Sequence, residues 1–220
     1  MNVAIVVYER FTALDAVGPY EVLSRLPGAS VTFVAAQRGP VRTDNGMLTL
    51  VAERSLAELA GPDIVVVPGG PGDVVAHAGP AVLDWLRAAD ETSAWTTSVC
   101  TGSLILAAAG LLRGRRATTH WLSLERLRAL GAEPVAERVV FDGKLVSAAG
   151  VSAGIDMALT LAARVAGETV AQAIQLGIEY DPQPPFDAGS PRKAPAEVVE
   201  LLRSRRRSAE QAGETADTRG

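Results

Sequence analysis

Four short runs rich in apolar and β-branched residues constrain the fold of this chain more than any other feature. They lie at residues 3–7, 31–35, 63–67 and 94–98, and segments with helical spacing follow the first, third and fourth of them. Nearly continuous apolarity, as at 3–7, is typical of a strand that is covered on both faces. Strands that alternate with helices predict an α/β sandwich around a mostly parallel sheet.

Further elements are predicted from local patterns. The first helix is expected to begin at Pro19, because proline is tolerated in a first helical turn, and this leaves Asp15 in the connection before it. Residues 39–46 are polar and turn-rich, and a short strand is expected at 47–51. The Asp142-Gly143 pair predicts a hairpin. Helices are expected at 80–90, 103–110, 122–130, 155–165 and 168–178.

Composition excludes several classes of function. The net charge of −4 provides no basic field for nucleic acid, and no apolar run is long enough to span a membrane. The first eight residues indicate a strand rather than a signal peptide. One cysteine and two histidines are too few for a zinc site, and a lone cysteine is typical of a reducing compartment. We therefore expect a cytoplasmic protein that uses no metal.

The composition of the chain changes after about residue 180. Residues 180–187 are rich in proline and are expected to be extended, which places the end of the main domain near residue 191. A C-terminal helix is possible over residues 192–207. The polar residues 208–220 are expected to be a disordered tail.

The single cysteine, Cys100, lies between a predicted strand and a predicted helix, with Gly102 just behind it. A free cysteine is often only a small buried apolar residue. Here the sharp turn has the pattern of a nucleophile elbow, and a helix N-terminus lowers the pKa of a thiol. A reactive thiolate is therefore predicted.

Three other connections end at the same predicted edge of the sheet as Cys100. They carry Asp15, the Gly69-Gly70 pair and residues 150–152, because the carboxyl ends of parallel strands converge. Gly69 and Gly70 form either an ordinary tight turn or a pair of N–H donors opposite the thiolate. Thr101 is either a helix N-cap or the source of a backbone N–H for a developing negative charge.

Three residues compete for the transfer of protons at this edge. Asp15 beside a thiol would have a raised pKa and could pass a proton to a substrate, although aspartate is also common at helix starts. Glu21, six residues later, could face the same pocket. His120 is the general base that residue type suggests, but its neighbour Trp121 favours a packed position instead.

The chain resembles the ThiJ/PfpI branch of the class I glutamine amidotransferase-like superfamily, and within it the isonitrile hydratases. The resemblance spans most of residues 1–190. The matching motifs are Leu14-Asp15-Ala16-Val17-Gly18-Pro19-Tyr20-Glu21, Val67-Pro68-Gly69-Gly70, Ser98-Val99-Cys100-Thr101-Gly102, Ala117-Thr118-Thr119-His120-Trp121, Ser147-Ala148-Ala149-Gly150-Val151-Ser152 and Glu179-Tyr180-Asp181-Pro182-Gln183-Pro184-Pro185-Phe186.

The resemblance implies a flavodoxin-like three-layer sandwich, a homodimer and no cofactor. It implies that the chain adds water to a small-molecule isonitrile and releases an N-substituted formamide. Cys100 would be the nucleophile, Asp15 the acid/base and Thr101 an essential neighbour, while Glu21, His120 and Ser152 would lie at most in a supporting shell. Two alternatives stay open: another cysteine-dependent enzyme, such as a glyoxalase, deglycase or amidase-like hydrolase, or a ligand-sensing regulatory domain.

Overall fold

The structure is a computed structural model, and it describes the backbone of residues 1–217 and the side chains of residues 1–208. The strands are β1 (Asn2–Val6), β2 (Ser30–Ala35), β3 (Gly39–Arg42), β4 (Thr49–Ala52), β5 (Arg54–Ser55), β6 (Ile64–Val67), β7 (Trp95–Val99), β8 (Arg116–Ala117), β9 (Glu133–Pro134), β10 (Val139–Asp142) and β11 (Leu145–Ala148). The helices are α1 (Ala13–Leu23), α2 (Val74–Thr92), α3 (Gly102–Ala108), α4 (Leu124–Ala129), α5 (Ala153–Ala166), α6 (Glu168–Gly177) and α7 (Ala196–Asp217).

Seven strands form the central sheet in the order β10-β11-β7-β6-β1-β2-β5. Every neighbouring pair is parallel except β10 and β11, which form the hairpin that Asp142-Gly143 predicts. The strands β1 and β6 lie inside the sheet, and Ala4, Ile5 and the whole of β6 are fully buried. Continuous apolarity is therefore explained by cover on both faces, and the predicted mostly parallel α/β fold is confirmed.

Helices cover both faces of this sheet. The chain moves from β1 to β2 in one direction along the sheet and from β6 to β7 in the other. Because parallel crossovers are right-handed, α1 and α2 lie on opposite faces. The helix α5 packs against α1 and α6, and α2 packs against α3.

Three predicted boundaries are wrong. The helix α1 begins at Ala13, so Pro19 lies inside it and Asp15 is in its first turn. Residues 39–42 form the strand β3, which pairs with β4 from Thr49 onward rather than from residue 47. The helix α2 begins at Val74, and its non-helical residue Gly79 marks the kink before the predicted start.

The described chain separates into two compact units. The first unit comprises Met1–Glu179 and ends before the predicted boundary at residue 191. The second unit begins at Tyr180 and contains α7, which starts at Ala196 and continues past residue 207 to Asp217. Extension of an existing helix costs far less than its nucleation, and the sequence beyond residue 207 contains no proline. Residues 218–220 of the predicted tail lie outside the described residues.

Within residues 1–217, no helix is both long and apolar enough to cross a membrane.

Candidate active site

The backbone of Cys100 makes the sharp turn that connects β7 to α3. Its φ of 57° is left-handed, which is unfavourable for a residue with a side chain. Hydrogen bonds on both sides hold this conformation. The N–H of Cys100 donates to the carbonyls of Ala148 and Ala149, at 3.1 and 2.8 Å. Its carbonyl accepts from the hydroxyls of Thr119 and Ser103, at 3.0 and 3.2 Å. The predicted nucleophile elbow is thus present.

Two glycines allow the loop after β6 to lie directly against this turn. A Cβ atom added to Gly102 would lie 2.1 Å from the carbonyl oxygen of Val67. One added to Gly69 would lie 2.5 Å from both the backbone nitrogen and the hydroxyl oxygen of Thr101. Because no real Cβ atom approaches so closely, the two loops can meet only if both positions are glycine.

The hydroxyl of Thr101 joins these two loops. Its Oγ1 donates to the carbonyl of Gly70 at 2.7 Å and accepts from the N–H of Gly70 at 2.9 Å. The interpretation of Thr101 as a side-chain N-cap is therefore wrong, because its hydroxyl makes no capping bond to α3. The backbone N–H of Thr101 does face the sulfur of Cys100, where it lowers the pKa of the thiol and would stabilise a negative charge on the sulfur.

The interpretation of Gly69 and Gly70 as donors to the substrate is also wrong. The N–H of Gly69 donates to Oδ2 of Asp15 at 2.9 Å, and that of Gly70 is taken by Thr101. Both donors are therefore satisfied by protein side chains. The N–H groups that do face the sulfur of Cys100 belong to Thr101 and Val151.

Asp15 is fully buried at the start of α1, beside the thiol of Cys100. Burial raises the pKa of Asp15 to about 7, and the charge of Asp44 adds to this effect. The N–H of Gly69 and the interaction with the Cys100 side chain lower the pKa, but by less. Among the described residues, Oδ1 of Asp15 has no conventional hydrogen-bond partner. That oxygen is available to take or give a proton.

The thiol of Cys100 is 6% exposed, and its pKa is raised to about 12. Burial is the main cause and the charge of Asp15 the second, and together they outweigh the N–H groups of Thr101 and Val151. The predicted lowering of the thiol pKa by the helix start is therefore wrong. Between about pH 7 and 12 the Asp15–Cys100 pair therefore holds one proton, mainly on the sulfur.

Glu21 lies away from this pair. Asp15 and Glu21 are six residues apart on one helix, so their side chains point in directions about 120° apart. Glu21 instead forms an ion pair with Arg25 at 2.7 Å, on the half-exposed side of α1. The alternative that Glu21 faces the thiol is therefore wrong. Both residues lie on α1, and the side of the helix that meets Cys100 carries Asp15.

Ser152 and His120 lie around the loop that follows β11. The hydroxyl of Ser152 accepts from Arg138 at 3.4 Å on the surface, so it does not support the thiol. The Nδ1 atom of His120 accepts from the N–H of Leu122 at 3.4 Å. A Cβ atom on Gly150 would lie 3.1 Å from the His120 ring, so the imidazole packs against the loop that carries Val151.

Two residues of this site, Tyr8 and Asp44, were not predicted from the sequence. Residues 150–152 were predicted to lie at this edge, but the role of the Val151 N–H was not. Tyr8 directly follows β1, and its buried hydroxyl donates to the carbonyl of Pro68 at 3.0 Å. Its place at the end of a buried strand was a signal for the site, since the other site residues follow strands in the same way. Asp44 had no such signal, because it comes from the turn between β3 and β4. Among the side chains of residues 1–208, no cluster of three or more metal-ligating groups occurs.

The sheet, the strained cysteine at a strand end and the adjoining buried carboxyl define an α/β protein with a cysteine nucleophile elbow. The chain belongs to the DJ-1/PfpI family, whose model matches residues 1–164.

The relatives that are similar to this chain include an enzyme and a transcriptional regulator. The isonitrile hydratase of Pseudomonas putida is 43% identical over 93% of this chain and 90% of its own length. A ThiJ/PfpI family protein from Pseudomonas syringae, known from a crystal structure, superposes with a TM-score of 0.88 at 37% identity, covering 96% of this chain and 89% of that one. The transcriptional regulator CdhR of Pseudomonas aeruginosa is 33% identical over 72% of this chain, but over only 48% of its own length.

Proposed function

We propose that the protein is an isonitrile hydratase, which adds water to a small isonitrile and releases an N-substituted formamide. The observation that carries this proposal is the similarity to the Pseudomonas putida isonitrile hydratase, which extends over nearly the whole of both chains. The buried Asp15–Cys100 pair supports it, because the reaction needs a nucleophile and a proton carrier at one carbon atom.

The first step uses the single proton of this pair. When Asp15 carries that proton, Cys100 is a thiolate, and the N–H groups of Thr101 and Val151 stabilise its charge. The sulfur forms a bond to the terminal isonitrile carbon, and the proton of Asp15 adds to the same carbon. The product is a thioimidate, R–N=CH–S–Cys100, and Asp15 is left as a carboxylate.

Water completes the reaction in the second step. It adds to the thioimidate carbon, and one of its protons goes to the nitrogen of the substrate. The carbon–sulfur bond then breaks, the second proton returns to the Asp15–Cys100 pair, and the formamide R–NH–CHO leaves. Division of one difficult addition into two easier steps is the usual advantage of a covalent intermediate.

The assay that tests this proposal offers the purified protein cyclohexyl isocyanide and, in parallel, methylglyoxal. We expect N-cyclohexylformamide to form with the wild-type protein, and Cys100→Ala to form none while its circular dichroism spectrum is unchanged. Turnover of methylglyoxal alone would favour the glyoxalase alternative. Undiminished hydration by Cys100→Ala would contradict the mechanism.

We also propose that the enzyme is a homodimer, as the family resemblance implies. Light scattering on the purified protein measures this directly, and a mass of one chain would contradict it. A ligand-sensing role is the second candidate, because CdhR is a transcriptional regulator and is similar to this chain over about half of its own length. Saturable binding of an isonitrile without turnover would favour that role.

A further inference from the structure

Tyr8 is a buried residue that the mechanism above does not use. It follows β1 directly, its side chain is 5% exposed, and its hydroxyl donates to the carbonyl of Pro68 at 3.0 Å. Burial and the nearby charges of Asp15 and Cys100 raise the pKa of Tyr8 well above its usual range. The hydroxyl therefore keeps its proton and remains a donor at every pH at which the enzyme works.

The acceptor of this hydrogen bond connects Tyr8 to Asp15. The carbonyl of Pro68 and the N–H of Gly69 belong to one peptide group, which is planar and rigid. Tyr8 holds the carbonyl end of this group, and Oδ2 of Asp15 accepts from its N–H end at 2.9 Å. A rotation of the peptide plane would misalign both hydrogen bonds together.

The rest of the loop after β6 is hydrogen-bonded to the start of α1 and to the turn at Cys100–Thr101. The carbonyl of Gly69 accepts from the N–H of Thr12, the residue before α1, at 2.8 Å, and Gly70 is bonded to Thr101. Residues 68–70 thus join the end of β1, the first turn of α1 and the turn at Cys100–Thr101, and within them the Pro68–Gly69 peptide group connects Tyr8 to Asp15. In this set of contacts, the carbonyl of Pro68 is held by a side chain, the hydroxyl of Tyr8, which a single substitution can remove.

We infer that Tyr8 is a positioning residue for Asp15, and that it acts through the Pro68–Gly69 peptide group to align and strengthen the N–H bond to the carboxylate. Donation to a peptide carbonyl polarises the group and makes its N–H a better donor. The N–H bond favours the ionised form of Asp15, so Tyr8 lowers the pH at which Asp15 loses its proton. The role in catalysis depends on the proposed function, but the alignment of Asp15 does not.

The test measures the titration of Asp15 directly. In protein labelled with carbon-13 at the aspartate carboxyl carbons, the resonance that disappears in Asp15→Asn identifies Asp15. We expect its midpoint near pH 7 in the wild-type protein. In Tyr8→Phe we expect it to rise by roughly 0.3 to 1 pH unit, a two- to tenfold gain in proton affinity, because one neutral hydrogen bond is lost. Other groups that influence Asp15 are Asp44 and Cys100, and both are left in place.

Tyr20→Phe is the matched control, since its ring packs on Phe33 and not on this loop. It should leave the midpoint unchanged. A folded Tyr8→Phe protein with the wild-type midpoint would overturn the inference. If Tyr8→Phe does not fold, 3-fluorotyrosine at position 8 replaces it, because a stronger donor should lower the midpoint, and an unchanged midpoint would again overturn the inference.

Activity is a separate readout. If isonitrile is turned over, Tyr8→Phe should lower kcat by roughly three- to tenfold with little change in KM, and its activity profile should shift to higher pH by the same amount as the resonance. If no isonitrile is turned over, the proposed function fails and the titration still decides the role of Tyr8.

Discussion

Asp90 and Asp15 lie at opposite ends of the parallel strands and have opposite surroundings. Asp90, beside the start of β7, accepts from the hydroxyl of Thr96 at 2.6 Å and pairs with the ammonium of Lys144 at 3.2 Å. Asp15, beyond the carboxyl end of β1, has no cation near it, and its Oδ1 lacks a conventional partner among the described residues. Its neighbour there is the thiol of Cys100.

This difference separates a carboxylate with a structural role from the one that we propose carries the proton. A lysine and a hydroxyl that bind a partly buried carboxylate offset the free energy that the carboxylate loses when it gives up its water. Asp15 loses its water without a cation, and burial raises its pKa to about 7. It can therefore exchange its proton with solvent near neutral pH, as the proposed hydration mechanism requires.

Replacement of each of the two aspartates by asparagine should have its largest effect on enzyme activity, and only in the case of Asp15. Asp15→Asn keeps the acceptor for the N–H of Gly69 but cannot carry a proton, so we expect kcat/KM for cyclohexyl isocyanide to fall by roughly 10²- to 10⁴-fold. Asp90→Asn should keep activity within about threefold, because it lies at the other end of the sheet. Equal losses in the two variants would mean that Asp15 contributes to folding only.

The second effect is on the pH dependence of stability. The folded pKa of Asp15, about 7, is raised above the ordinary 3.8, so its stabilising protonation is complete below pH 3.8 and is lost as the pH rises through 7. Above pH 7 the ionised carboxyl costs up to about 4 kcal/mol of unfolding free energy. In urea unfolding at pH 8, Asp15→Asn should therefore be more stable than the wild-type protein, and the gain should shrink at pH 5.

Asp90→Asn provides the control for that experiment. It removes the partner of Lys144, so we expect it to be less stable than the wild-type protein at both pH values, by roughly 1–3 kcal/mol. A wild-type stability that does not change between pH 5 and 8 would contradict the raised pKa of Asp15.

Local sequence patterns predicted the strands and the turn that form the candidate site, but not the hydrogen bonds between them. Apolar runs located the strands, and the sequence around Cys100 located the elbow, because both depend on a few adjacent residues. The use of the Gly69 and Gly70 N–H groups by Asp15 and Thr101 depends on contacts between residues 31 to 54 positions apart. The pKa of Cys100 was predicted in the wrong direction because the helix start is a local feature, whereas burial results from the whole fold.

The close approach of backbones at the elbow gives a third expected effect. Gly102→Ala places a methyl group where the carbonyl of Val67 lies, and we expect it to destabilise the protein by about 3 kcal/mol or more. Gly177, at the end of α6, has open space around its Cβ position, so Gly177→Ala should be neutral or slightly stabilising. Thermal unfolding of both variants measures the difference. A well-folded Gly102→Ala protein would show that the two loops can separate.

The smallest expected effect concerns His120, which packs beside the site on the far side of Gly150. His120→Asn keeps a side-chain acceptor for the N–H of Leu122, because asparagine is a good residue at such a turn. If Asp15 is the proton carrier, kcat/KM should fall by less than about tenfold, far less than in Asp15→Asn. The reverse ranking would make the imidazole the base and would favour the hydrolase alternative. Since both variants replace a titratable group with an amide, their comparison isolates which group delivers the proton to the substrate.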